Sequence, residues 1–331
     1  MILKENSVWK TLRAKECGYN FNKQTGYMEV WGRTQDENLE FSPYGPFIAD
    51  IEISTACDMG PICKACYKSN VPDGKYMSLE TFESVLRKLP KVLTQIAFGI
   101  GNLNSSPVLF DIMKHCRENG IIPNITINGA HLTDSFANNL AKYVGAIAVS
   151  NYGQNLCYNA VKKLTDRGMT QVNIHQLLAL ETKDQVYQLI EDIKNDSRLE
   201  KLNAVVFLGL KQKGRGVAFH RLPEEDFQNI IDLCFEKGIR FGLDSCDGNR
   251  FSNAISGRDD YEQLIQMVEP CESSIQSAYI NVLGEFFPCS FAEEGQGLDV
   301  ISCNNFLEDI WMNPKAIEWR RKLLENGRNC P

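Results

Sequence analysis

The stretch IADIEISTACDMGPICKACYK, residues 48–68, sets the reading of the whole chain. Its first part is an apolar run that reads as a strand through Ile48, Ile51 and Ile53, and its second part places Cys57, Cys63 and Cys66 within ten residues. No fourth ligand lies beside them, so a closed four-ligand metal site cannot be built from this segment alone. A thiolate triad suits an iron–sulfur cluster, because three protein ligands on a four-iron cube leave one iron open for a small molecule. The alternative is half of a zinc ribbon completed by distant ligands.

Working outward, strand-like runs recur near 48–54, 94–99, 122–128, 144–150, 171–178 and 202–210, with a weaker seventh at 239–244. Helical patterns fill the gaps and carry their own punctuation. Ser78 is a candidate N-cap and Pro90 a stop, and left-handed C-terminal caps are expected at Gly120, Gly168 and Gly238. Repeated strand–helix units mean a parallel sheet, and their span over about 46–256 fits an α/β fold, a partial (β/α)6 barrel. Active sites of barrels lie at the C-terminal ends of the strands, which is where the cysteine loop falls. Residues 1–45, rich in aromatics and turn formers, suggest a covering hairpin around Thr25 and Gly26. Past Gly257 the alternation stops, and 257–331 reads as a small C-terminal α+β domain.

With 331 residues, 43% hydrophobic and 23% charged, the chain can bury a full-sized core. A net charge of −7 argues against broad binding to nucleic acid or anionic membrane. The start MILKENSVWK lacks the apolar segment of a secretory signal, and no run approaches the roughly 20 apolar residues of a membrane span. A cytoplasmic location is therefore expected, where most of the twelve cysteines would be buried thiols or metal ligands rather than disulfides. Cys116, Cys157 and Cys234 fall in helix-like stretches and read as small buried hydrophobes. Cys17 has no assigned role.

The loop STACDMGPICKACYK resembles the cluster-binding loop of the radical S-adenosylmethionine (SAM) superfamily, whose commonest spacing is C-x3-C-x2-C. Here the first spacer holds five residues, and Ala65 stands where an aromatic residue usually precedes the third cysteine. The resemblance implies a [4Fe-4S] cluster on Cys57, Cys63 and Cys66 with SAM chelated to the open iron. It extends to the strand ends. AFGIGNLNSSP takes the place of a GGEP-like turn, with Gly99 and Gly101 letting backbone approach the methionyl end of SAM. The usual acid is missing there, leaving Asn102 or Asn104 to offer an oxygen. TINGAHLT places Asn128 at the mouth, and in AVSNYG Ser150 matches a position that contacts the SAM carboxylate or ribose. His175 alternates with core-facing residues on the fifth strand. In LKQKGRGV, Lys211, Lys213 and Arg215 are placed to meet SAM or a substrate carboxylate. Each has a plain structural alternative: a tight loop, a satisfied histidine, a solvated loop.

Cys271, followed by twelve residues, Gly284, four residues and Cys289, resembles the opening motif of the SPASM and twitch extensions. These carry an auxiliary [4Fe-4S] cluster after the barrel. A full SPASM domain adds a C-x2-C-x5-C-x3-C set that this chain lacks, so the resemblance implies one auxiliary cluster on Cys271, Cys289, Cys303 and Cys330. Structural zinc on the same thiolates is the alternative. The implied activity is reductive cleavage of SAM to a 5'-deoxyadenosyl radical that abstracts a substrate hydrogen, with an external donor such as flavodoxin or ferredoxin. In LDSCDG, Asp244 and Cys246 are candidate proton acceptor and hydrogen donor, or a loop anchor. Family members often modify ribosomally made peptides; no winged-helix leader-binding segment is evident, so a separate recognition protein or a small substrate is expected. Radical chemistry on a metabolite, cofactor precursor or nucleoside is the second reading, and a non-enzymatic iron–sulfur electron carrier the third.

Overall fold

The computed structural model describes residues 1–330. Seven parallel strands form its centre: β5 (Ile48–Glu52), β6 (Gln95–Gly99), β7 (Ile122–Ile127), β8 (Ile147–Ser150), β9 (Val172–Leu178), β10 (Ala204–Gly209) and β11 (Phe241–Leu243). They lie side by side in chain order, each hydrogen-bonded in parallel to the next. Helices α1 (Leu79–Lys88), α2 (Leu109–Glu118), α3 (Asp134–Tyr143), α4 (Gln154–Thr165), α5 (Lys183–Asn195) and α6 (Glu224–Glu236) fill the crossovers. The alternation expected from the sequence is present, including the weak last strand, and the sheet remains an open, partial barrel.

Period-two burial builds the two faces of the sheet. On β5, Ala49 and Ile51 are fully buried, followed by Ile53, and they pack in one core with Phe82 and Val85 of α1. Asp50 and Glu52 point the other way, into the barrel. Register places Asp50 beside Ala97, Glu52 beside Gly99, and Ser150 beside His175, so polar groups line the concave side. Ser78 caps α1 by accepting from Thr81 N at 3.1 Å, and Gly120, Gly168 and Gly238 adopt φ of 71°, 82° and 58° after their helices. Cys116, Cys157 and Cys234 are fully buried on α2, α4 and α6.

The N-terminal segment is larger than the expected hairpin. Strands β1 (Ile2–Glu5), β2 (Trp9–Arg13), β3 (Gly18–Asn22) and β4 (Met28–Trp31) make an antiparallel four-stranded sheet, with the anticipated turn, Gly26 at φ 75°, between the last two. Alternate residues of β2 and β3, Leu12, Tyr19 and Phe21, supply a second core that Cys17 joins, and Tyr19 donates to Val92 O at 2.9 Å to fasten it to the barrel.

After α7 (Gly248–Ala254) and the short α8 (Tyr261–Leu264), β12 (Ser277–Ile280) returns to pair in parallel with β5. β13 (Glu285–Phe287) and β14 (Leu298–Asp299) then add antiparallel, continuing the barrel sheet. Helix α9 (Pro314–Glu325) ends the described chain region before Cys330. No helix among the described residues is long and apolar enough to cross a membrane.

Candidate active site at the barrel mouth

Cys57, Cys63 and Cys66 sit half-buried in the loop leaving β5, at the C-terminal end of the parallel strands. The neighbouring sulfurs of Cys63 and Cys66 shift each other in opposite directions, the first thiol up and the second down, and burial pushes Cys57 up. The guanidinium of Arg215 acts on all three toward the thiolate. Arg215 is bound into the loop itself: it donates to Asn70 O at 3.1 Å and Cys63 O at 3.3 Å, and its backbone N donates to Cys66 O at 2.9 Å. Its Nε–H is buried without an acceptor. Among the described residues no three His, Cys, Asp or Glu donors close on one ion. A mononuclear ion needs such convergence, whereas a four-iron cube takes one thiolate per iron.

The neighbouring strand ends brace this loop. Asn102 donates to Asp58 Oδ1 at 2.7 Å and faces Cys57 Sγ at 3.5 Å, and its oxygen accepts from Asn128 at 2.9 Å. Asn128 also donates to Gly101 O at 3.0 Å, so its amide is spent on the protein. A Cβ at Gly101 would lie 2.0 Å from Ala56 O, whereas one at Gly99 would meet Glu52 Cα at 3.4 Å, an ordinary contact. The closeness required at Gly101 is therefore to the cysteine loop, a different partner from the methionyl group that the resemblance suggests. Cys63 Sγ lies 3.1 Å from Tyr152 OH, with Ser150 alongside. His175 faces the barrel interior, and burial pushes it down to about 4, so the ring is neutral near pH 7.

The C-terminal cysteines fall into two places. Cys271 is buried, Cys289 half-buried and Cys330 exposed, and they are close enough to influence one another electrostatically. Cys303 stands apart: its thiol donates to Val300 O at 3.1 Å, and Lys88 of α1 reaches its carbonyl at 2.5 Å. Cys246 instead lies near Cys271 and Cys289. Asp244 pairs with Lys211 at 3.2 Å and caps the turn through Asp247 N, while burial pushes its carboxyl up.

No family model matches the chain, and no curated protein matches its sequence. Solved structures do. Streptococcus suis SuiB bound to precursor peptide SuiA aligns with a TM-score of 0.72 at 13% identity, covering 96% of this chain and 90% of that one. SuiB bound to S-adenosylmethionine gives 0.67 at 13% identity over the same shares. anSMEcpe with bound AdoMet and Cp18Cys peptide gives 0.62 at 16% identity over 82% of each chain. These are radical SAM enzymes, with SPASM-domain enzymes among them. The fold is that of the radical SAM enzymes.

Within the radical SAM fold, three residues of the mouth carry no weight in the sequence reading. Tyr152, on the first cysteine pair, follows the end of β8, and an aromatic directly after Ser150 and Asn151 is the signal that marks it. Lys68, two residues past Cys66, is enclosed by Glu52 at 3.3 Å, Tyr279 OH at 2.6 Å and Glu293. It joins the cysteine loop of the radical SAM barrel to the C-terminal hairpin. Asp50 is a third such residue, facing the barrel interior and pushed up to about 6 by burial alone.

Proposed function

We propose that the chain is a cytoplasmic radical SAM enzyme that holds a [4Fe-4S] cluster on Cys57, Cys63 and Cys66 and modifies a ribosomally made peptide. The carrying observation is the placement of three half-buried cysteines in one loop at the mouth end of β5, with the Arg215 cation acting on all three. When bound, the cluster and SAM together supply one electron and a 5'-deoxyadenosyl radical able to take hydrogen from an unactivated carbon.

The residues fit that cargo. Arg215 favours thiolates over thiols, and its buried Nε–H lacks an acceptor that a group seated on the cysteines would provide. Asp58, Asn102 and Asn128 fix the loop through a continuous chain of hydrogen bonds. The polar concave side, with Asp50 and neutral His175, offers donors and acceptors for SAM and substrate. The peptide reading is supported by SuiB and anSMEcpe, both solved with peptides bound. A small-molecule substrate is the other outcome of the test. The C-terminal cysteines would hold an auxiliary cluster, and an external flavodoxin- or ferredoxin-type protein would deliver electrons.

Anaerobic reconstitution should give about eight irons per chain, two four-iron cubes. Replacing Cys57, Cys63 and Cys66 together by Ala should remove half of that iron and abolish 5'-deoxyadenosine formation. Continued SAM cleavage by that variant would disprove the site.

A further inference from the structure

We infer that Cys246, and not Cys303, joins Cys271, Cys289 and Cys330 as the four thiolates of the C-terminal metal group. Four contacts bring these cysteines to one place. The turn after Cys246 lies directly on the segment before Cys271: a Cβ on Gly248 would come 2.8 Å from Glu269 O and 3.3 Å from Pro270 Cα. The next residue, Asn249, donates to Gly327 O at 3.1 Å and Asn329 Oδ1 at 2.9 Å, binding the same turn to the residue beside Cys330. Arg328 closes the third side by donating to Cys271 O at 2.9 Å and Pro270 O at 3.1 Å. Ser273 then ties the Cys271 segment to Pro288 O at 2.7 Å, one residue before Cys289. Cys246 is exposed in this arrangement, so its sulfur is free to turn toward the other three.

Cys303 has none of these links. Its sulfur is satisfied by Val300 O in the main hydrophobic core, and its charged neighbours are Lys88, Asp299 and Asp309, with no cysteine among them. Reaching the other three would require it to leave that core. The sequence distance is misleading: Cys303 is closer in number to Cys289 than Cys246 is to Cys271, yet the fold brings the earlier residue to the site.

Two consequences follow from this ligand set, and the second distinguishes it from a set with Cys303. Four thiolates leave no iron open, so the substrate does not bind the C-terminal group, and its role is electron transfer or structure. The ligand from the end of β11 also ties the last barrel strand to the C-terminal segment, in place of a site wholly within that segment.

The inference rests on the proposal that the C-terminal cysteines hold metal, and one experiment separates the two. In a background where Cys57, Cys63 and Cys66 are Ala, all bound metal belongs to the second group. The anaerobically reconstituted background protein should hold about four irons, and adding Cys303→Ala should leave that content unchanged. Adding Cys246→Ser should at least halve it or yield a three-iron cluster by EPR. Circular dichroism and thermal unfolding of the metal-free proteins check that each variant folds, and Cys246→Asp, which offers a carboxylate ligand, should recover part of the metal. Loss of iron with Cys303→Ala but not with Cys246→Ser overturns the inference and leaves the cluster in place. Zinc in the background protein, lost with Cys246→Ser, keeps the ligand set and overturns the cluster. No metal in the background protein overturns both.

Discussion

Gly101 and Ala56 are in a contact that admits no side chain: a Cβ on the glycine would stand 2.0 Å from the alanine carbonyl oxygen and 2.8 Å from Cys57 Cβ. The second strand end is thus a rest for the cysteine loop. Gly101 N also donates to Ser54 O at 3.1 Å, and Asn102 N to Ala56 O at 3.1 Å, which fixes the two segments on each other.

Gly101→Val should therefore displace the first cysteine loop and lose iron together with SAM binding, at a folding cost of at least about 2 kcal/mol from overpacking. Gly99→Ala, where space is ordinary, should retain both. Iron analysis and equilibrium SAM binding on the two variants check this, and full iron in Gly101→Val would contradict it.

Arg215 supplies both hydrogen bonds and charge to the loop. Arg215→Gln should reduce stability by roughly 1.5–3 kcal/mol, the range for hydrogen bonds from charged donors, and should lower reconstituted iron because the thiols ionise less readily. Arg215→Lys keeps the charge but loses the planar fork, so it should fall between the two. Urea unfolding and iron content read the two effects separately.

Lys68 lies among Glu52, Glu293 and Tyr279 with its ammonium largely buried. Lys68→Met leaves two carboxylates facing each other without a cation and should cost roughly 3–5 kcal/mol at pH 7. Burial already pushes Glu52 up, so the loss should shrink between pH 7 and a more acidic pH at which that carboxyl takes a proton. Denaturant unfolding at the two pH values tests the trend.

Asp50 and His175 give opposite pH dependences. Asp50 is raised from 3.8 to about 6 in the fold, so the folded chain holds a proton that the unfolded chain has lost, and stability rises as pH falls from 6 toward 4. His175 is lowered from 6.5 to about 4, so the unfolded chain takes the proton first and stability falls over the range from 6.5 to 4. Asp50→Asn should make the acid-side loss steeper than in the parent, and His175→Gln should make it shallower. Thermal unfolding of the metal-free protein between these limits decides; identical profiles would contradict the desolvation of the two groups inside the barrel.

The strands were legible because their period-two burial is written locally, as in Ala49 and Ile51 against Asp50 and Glu52. The first cysteine loop was legible for the same reason, its three thiols lying within ten residues. In the proposed ligand set Cys246 takes the place of Cys303, because which distant cysteines meet is decided by contacts such as Asn249 to Gly327, which no spacing records. Gly101 announced a tight approach without naming the approaching group. Asp50 left a readable trace, a carboxylate alternating with the apolar residues of its strand, whose meaning depends on which side of the sheet becomes concave. The N-terminal sheet exceeded a hairpin because its outer strands, Ile2–Glu5 and Met28–Trp31, are short and mostly exposed, with little apolar alternation to reveal them.

The parallel pairing of β12 with β5 bears on how the chain is made. As the protein leaves the ribosome, the flank of β5 has no neighbour until Ser277–Ile280 has been synthesised, long after the strands on its other side are complete. For that interval the nascent chain presents the unpaired backbone of a mostly apolar strand, the kind of edge on which chains aggregate. A fragment ending at residue 256 would keep that edge permanently and should be insoluble when expressed alone, though it contains every strand of the parallel barrel.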